Sequence, residues 1–188
     1  VTIHSIPAIP TKTSQVSQVL LDRFLAPYKA DCRYLKQAQF HDFSSAMSPT
    51  SCSESECSWL ISGDFAIPES CYIDDTGHFN SVEFNICYNQ LCYIMLAYLI
   101  EHQMLAVMSD WTLDTFKRRQ LSDFLITGFS SKFRQPINSD SFQGELSINR
   151  CSARRNLIIL KTTCAFFDRN GRAEGEVTIA VLNKQSKG

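Results

Sequence analysis

Apolar residues along this chain change their spacing several times, and each change marks an expected element. In SQVSQVLLDRFLA, residues 14–26, Val16, Val19, Leu20, Phe24 and Leu25 fall near one helical face, which predicts a helix with Thr13 as its N-cap and Pro27 as its stop. The segments CRYLKQAQFHDF (32–43) and CSWLISGDFAI (57–67) alternate well enough for two strands. Between them, residues 44–57 are rich in Ser and Cys and have no apolar period, as in a solvent-exposed loop. After Pro68, residues 74–77 read as a turn, and everything past Asn80 has helical character with apolar residues on most faces. A shorter helix, WTLDTFKRRQL, is expected from an N-cap at Ser109 or Asp110, with Lys117, Arg118 and Arg119 toward its C-terminus, where the helix dipole favours them. Four β-like runs follow, at 123–137, 141–151, 156–167 and 174–183, with Asn170-Gly171 as the hairpin turn between the last two.

The order is one helix, two strands, a long helix and four consecutive antiparallel strands, an α+β layout. A helix apolar on all sides needs a sheet that wraps it. A hot-dog fold, a curved antiparallel sheet around one central helix, fits that description, and the pattern alone leaves several other α+β folds open. Residues 1–12, with Pro7 and Pro10, are expected to be an extended or mobile arm, and 13–184 to be a single domain.

Composition narrows the function. The chain is 44% hydrophobic and 20% charged with a net charge of -1, so there is no general electrostatic reason to bind nucleic acid or an anionic membrane. The start VTIHSIPAIPTKTSQ lacks the pattern of a signal peptide. The apolar stretch from Ile86 onward is broken by Asn89, Gln90 and Glu101, and falls short of a membrane span. Eight cysteines invite a disulfide reading, but Cys87, Cys92 and Cys164 sit in apolar runs where free cysteine packs as a small hydrophobe. Without an export signal, reduced thiols in a cytoplasmic protein are expected. No Cys-x-x-Cys pair or zinc-finger spacing is present, so neither a metal nor any other cofactor is expected.

At GHFNSVEFNICYNQLCY, residues 77–93, the chain resembles the FcoT-like long-chain acyl thioesterases of hot-dog fold. LAPY (25–28), CRYLKQAQF (32–40), ESCYIDDTGHFN (69–80), WTLDTF (111–116) and SSKFRQPIN (130–138) look like the family and occur in its order, across roughly Leu20 to Leu182. The loop 44–57 is longer than is usual there. The resemblance implies a catalytic set of two tyrosines and an asparagine, which match Tyr28, Tyr72 and Asn89. It also implies an acyl-CoA or acyl carrier protein thioester as substrate, and a homodimer or higher homo-oligomer. A weaker similarity links the GHF at 77–79 to hot-dog dehydratases, but the residue matching their acid is Asn89 or Gln90, and an amide cannot shuttle a proton as a carboxylate does.

Thioester hydrolysis needs a polarised carbonyl and a placed nucleophile. Backbone N–H groups near Phe79 to Val82, including that of Asn80, are expected to lie unsatisfied at the positive end of the long helix and to form an oxyanion hole, which the Gly77 turn would let substrate approach. Asn89 can hold a water, and Tyr28 and Tyr72 can donate hydrogen bonds. The base is sought in His78 or Glu83, with His78 preferred because Glu83 lies about 120° around the helix from Asn89. Capping and packing are the structural alternatives for all of these. A buried amide such as Asn89 requires either a structural partner or a function, and Asn85 shares its face. Lys132 and Arg134 are candidates for coenzyme A or phosphopantetheine phosphates. The leading expectation is hydrolysis of a fatty acyl thioester. The first alternative is addition of an amine such as glycine to an α,β-unsaturated acyl thioester followed by hydrolytic release, with Arg33, Lys132 or Arg134 holding the amine donor's carboxylate. The second is a non-catalytic acyl-binding protein.

Overall fold

The structure is a computed structural model that describes residues 10–43, 59–74 and 77–183. The loop 44–57 and most of the N-terminal arm therefore lie outside the described residues.

The longest helix, α2, spans Ser81–Glu101. Asn80 caps it: the side-chain oxygen accepts from the N–H groups of Val82 (3.0 Å) and Glu83 (3.3 Å), and the Glu83 carboxylate accepts from the Asn80 N–H at 3.1 Å. This reciprocal box satisfies donors that a helix start otherwise leaves open. At the other end, Gln103 adopts a left-handed φ of 52° and turns the chain out. From Phe84 to Ile100 most side chains are buried, on nearly every face, as the apolar run predicts.

Among the described residues seven antiparallel strands form one sheet: β1 (Lys12–Gln15), β2 (Leu35–Asp42), β3 (Trp59–Phe65), β4 (Phe124–Gln135), β5 (Phe142–Arg154), β6 (Leu157–Phe167) and β7 (Arg172–Leu182), in the order β1-β2-β3-β5-β6-β7-β4. Alternate residues point to the helix, such as Phe142, Leu146 and Ile148 on β5 and Ile158, Leu160 and Phe166 on β6, while Gln143, Glu145 and Ser147 point away. Helix α2 packs against β2, β3 and β5, its Tyr88 hydroxyl meets Thr162 of β6 at 2.8 Å, and its Phe84 ring lies against Phe129 and Phe133 of β4. Gly175 of β7 lies under Phe84, and a β-carbon there would come within 2.7 Å of the ring. A sheet that contacts one helix from nearly every strand is the hot-dog architecture expected from the sequence. Helices α1 (Gln18–Leu25) and α3 (Leu113–Arg119) flank it, joined by stacking of Phe24 on Phe116 at 5.0 Å.

Three local expectations are corrected. Thr13 is not a helix cap but part of β1, which pairs with β2. The cap of α1 is Ser17, whose hydroxyl accepts from the Leu20 N–H at 3.3 Å. Thr11 and Lys12, at the end of the segment expected to be extended or mobile, pair with Asp42. Helix α3 is capped by Thr112 rather than Ser109 or Asp110, because Ala106–Met108 forms a 3₁₀ turn that Ser109 ends. The expectation of reduced thiols fails for one pair: Cys32 and Cys71 form a disulfide, their backbones brought to a Cα–Cα distance of 5.7 Å by a contact 39 residues apart in sequence. Cys87, Cys92, Cys151 and Cys164 are buried and not disulfide-bonded.

Candidate active site

The two ends of the proposed site grow from α2. Gly77, at φ +75°, reverses the chain just before the helix, in a conformation that L side chains rarely adopt. The chain then runs through exposed His78 into Phe79, whose ring is buried in a cluster with Phe84, Phe133, Phe142 and Phe166. Beside this start lies an open cavity of about 370 Å³ lined by His78, Phe79, Asn80, Ser81, Phe133 and Arg134, among others.

The expected oxyanion hole is not open at this helix start. The Phe79 N–H is bonded to the Ile137 carbonyl at 3.1 Å, that of Asn80 to Glu83, and those of Val82 and Glu83 to the Asn80 side chain. Of the five amides from Phe79 to Glu83, that of Ser81 alone has no hydrogen-bond partner among the described residues. The physical reason is the sequence Asn80-Ser-Val-Glu83, a capping box that consumes these donors. Glu83 is buried and engaged there, so the structure gives it the capping role rather than that of an accessible base.

Tyr72 precedes this region on an irregular segment. It is 45% exposed, and its hydroxyl donates to Asn80 Oδ1 at 2.7 Å. Tyr28 follows α1 and is half-buried against the core. Burial, reinforced by nearby Tyr93, Cys92 and Cys87, pushes its phenol far above the ordinary range, so it keeps its proton and can donate a hydrogen bond. Its hydroxyl has no partner among the described residues. Those neighbours, Cys87, Cys92 and Tyr93, lie on the stretch of α2 that also holds Asn89.

Asn89 is half-buried rather than buried, on a strip of α2 left open with Ser81, Val82 and Asn85. Its Nδ2 donates to the Asn85 carbonyl (2.9 Å) and to Asn85 Oδ1 (3.3 Å). That fixes the amide and leaves Oδ1 as an acceptor with no partner among the described residues. The buried amide is its neighbour Gln90, fully enclosed, whose Oε1 accepts from the N–H groups of Tyr34 (3.0 Å) and Leu35 (2.9 Å), while Nε2 donates to the Cys32 carbonyl. Periodicity alone did not separate these two roles.

The cations divide. Lys132 is on the outer face of the sheet, opposite Glu174 in register, in a mixed-charge cavity of about 440 Å³ away from α2, so it is not brought to the helix start. Arg33 donates to the carbonyls of Tyr28 (3.1 Å) and Ala26 (3.3 Å). Arg134 reaches the helix-start cavity and forms a 3.6 Å ion pair with Glu174. Among the described residues no group of three or more His, Cys, Asp or Glu is placed to hold a metal, and no helix is long and apolar enough to cross a membrane.

The chain matches the FcoT-like thioesterase domain over residues 23–181. It is 38% identical over 172 residues to a (2E)-enoyl-[ACP] glycyltransferase of Streptomyces coeruleorubidus, covering 88% of this chain and 97% of the relative. It is also 38% identical over 176 residues to a protein of the same name from Mycobacterium tuberculosis (strain ATCC 25618 / H37Rv), covering 91% and 90%. Among solved structures, the dehydratase domain of RzxB from Pseudomonas fluorescens aligns with a TM-score of 0.52 at 12% identity, over 93% of this chain and 54% of that one, a likeness of fold.

Proposed function

Because this chain belongs to the FcoT-like thioesterase family, an acyl thioesterase of hot-dog fold, we propose that it acts on a 2-enoyl group carried as a thioester on an acyl carrier protein. In this reading glycine adds across the double bond and hydrolysis then releases the β-amino acid. The observation that carries it is the 38% identity, over nearly the whole of both chains, to proteins named for that transfer.

The site's chemistry supports both steps. In the addition, the glycine nitrogen bonds to C3, the double-bond electrons move toward the thioester carbonyl, and a proton arrives at C2. In the release, water attacks the carbonyl and the carrier thiol leaves. Each step places negative charge on the carbonyl oxygen, which preorganised donors stabilise. Tyr28, held protonated, is one donor, and Tyr72 becomes the second by leaving Asn80. Asn89 Oδ1 accepts from the amine in the first step and from water in the second. His78, at the edge of the cavity, takes the proton. Of Arg33, Lys132 and Arg134, only Arg134 lines the helix-start cavity, and it would exchange its ion pair with Glu174 for the glycine carboxylate, whereas Arg33 holds backbone and Lys132 faces away.

The proposed assembly is a homodimer through β4. This strand is an edge of the sheet, most of its residues are exposed, and Leu125, Ile126, Phe129 and Phe133 are among them. A second copy would cover both the open hydrogen-bonding edge and the apolar side chains. Sedimentation should give a dimer, and a monomer at micromolar concentration would refute it. The proposed compartment is the cytoplasm, where carrier-bound acyl thioesters are made.

The decisive experiment offers saturated and 2-enoyl thioesters with and without glycine, and follows free thiol and product mass. The expected result is a glycine-dependent β-amino acid from the enoyl substrate. Thiol release that ignores glycine would reduce the function to plain hydrolysis, and no turnover of any substrate would leave only acyl binding.

A further inference from the structure

The disulfide joins the two segments that carry the tyrosines of the proposed site. Cys32 ends the 3₁₀ turn Ala30–Cys32, four residues after Tyr28, and Cys71 immediately precedes Tyr72. The two ends of the bond are held differently. On the Cys32 side, the carbonyl accepts from buried Gln90 of α2 and the N–H donates to Lys29, so this sulfur is anchored to the central helix. On the Cys71 side, residues 71–74 form bends without regular structure, and Tyr72 and Ile73 are exposed. The noncovalent anchors seen there are the Cys71 N–H, which donates to the Tyr34 hydroxyl at 3.2 Å, and the Tyr72 hydroxyl, which donates to Asn80 at 2.7 Å. The second of these has to break for Tyr72 to reach a substrate. During turnover, the position of Tyr72 then depends on the disulfide and on Tyr34.

We propose that the Cys32–Cys71 bond is a positioning element for Tyr72, and that its reversible reduction by a dithiol lowers turnover. The proposal rests on the reading that Tyr72 belongs to the site. A thiolate of the dithiol attacks one sulfur, the S–S bond breaks, and a mixed disulfide forms. The second thiol of the reductant displaces the remaining cysteine. Two electrons enter the protein, Cys32 and Cys71 gain two protons, and the reductant leaves as a disulfide. Both cysteines are half-buried and reachable. Cys87, Cys92 and Cys164 are buried, the Cys87 thiol held well above its ordinary range and those of Cys92 and Cys164 pushed up to about 12 by burial, so they do not compete as thiolates. In the cytoplasm, disulfides are characteristically transient and redox-sensing. Reduction would release the 71–74 segment while Gln90 still holds the Cys32 side, so the change is local.

The test uses the intact enzyme in defined ratios of reduced to oxidised dithiothreitol, with mass mapping of alkylated cysteines to follow the Cys32–Cys71 pair. As the pair is reduced, kcat should fall ~10-fold or more, equivalent to about 1.4 kcal/mol, with KM little changed, and reoxidation should restore it. Amide exchange should quicken at 69–74 and stay constant along α2. The double variant Cys32→Ser/Cys71→Ser should turn over at the reduced rate and ignore dithiothreitol. In Tyr72→Phe, reduction should have no further effect on kcat, since both changes remove the same group. An unchanged kcat at full reduction, with Tyr72→Phe impaired, would overturn the proposal. Wild-type turnover by Tyr72→Phe would instead overturn the site reading beneath it.

Discussion

Asn89 and Gln90 stand side by side on α2, about 100° apart around its axis, and they meet opposite environments. Gln90 faces inward, fully enclosed, with both ends of its amide bonded to the backbone between Cys32 and Leu35. Asn89 lies on the open strip, its nitrogen tied to Asn85 one turn back and its oxygen without a partner among the described residues. One amide closes the structure and the other is oriented yet left with capacity to bind. The same division runs along the helix. Glu83 is spent on the cap and Tyr88 on the sheet, where Thr162 donates to the Val177 carbonyl and so receives the tyrosine proton. Asn85 and Asn89 carry the polarity that the fold does not use.

The largest effect should come from breaking the inward side. Gln90→Leu removes the acceptor of two buried N–H groups, each costing ~1–3 kcal/mol when unsatisfied, roughly 2–6 kcal/mol in all. Denaturant unfolding should show that loss directly. Were Gln90→Leu to keep full stability yet lose turnover, the assignment of the two amides would be reversed.

Asn89→Ala, on the open side, should leave the unfolding midpoint close to wild type and reduce kcat at least ~10-fold, about 1.4 kcal/mol or more of transition-state stabilisation. Full activity in this variant would remove Asn89 from the mechanism. Asn85→Ala should have a smaller effect, a few-fold at most. It removes the 3.3 Å side-chain contact but leaves the 2.9 Å bond to the Asn85 carbonyl, which still orients Asn89. An Asn85 variant as damaged as Asn89→Ala would give Asn85 a contact of its own with substrate.

How much of this was legible depended on the range of the interactions. The central helix and the strands of the sheet's second half show as local periods, so an α+β layout could be read from them, and the family resemblance at 77–93 singled out the hot-dog fold. Strand β1 did not show, because Lys12, Thr13, Ser14 and Gln15 carry no apolar alternation and become a strand only by pairing with the edge of β2. The capping box was legible in Asn80-Ser-Val-Glu83 and competes directly with the oxyanion hole expected there, since both claim the same N–H groups. Nothing local distinguishes Gln90 from Asn89. The partners that decide it are 55 to 58 residues away, and the disulfide spans 39.

The smallest effect tests the seam where the two sides of α2 meet, at the Ile137 carbonyl that holds the Phe79 N–H. The next residue, Asn138, donates its N–H to Asp168 Oδ2 at 2.8 Å, while Asp168 Oδ1 accepts from Asn170 and Gly171 in the last hairpin. These backbone donors, Asn138 and Gly171 foremost, hold the Asp168 carboxyl below its usual range. A carboxyl depressed in the folded state binds its proton more weakly there than when unfolded. Its stabilising contribution is therefore present above the unfolded value, about 3.9, and is lost as pH falls through the lower folded value. Glu174 is depressed in the same direction, chiefly by hydrogen bonding to Arg172, but in exposed ion pairs. Salt separates the two contributions, because it screens exposed charges far more than hydrogen bonds to fixed amides. In 0.5 M salt, the acid loss of stability should be shallower in Asp168→Asn than in wild type and unchanged in Glu174→Gln. Identical acid profiles for Asp168→Asn and wild type would show that the seam is held by packing of Phe79 alone.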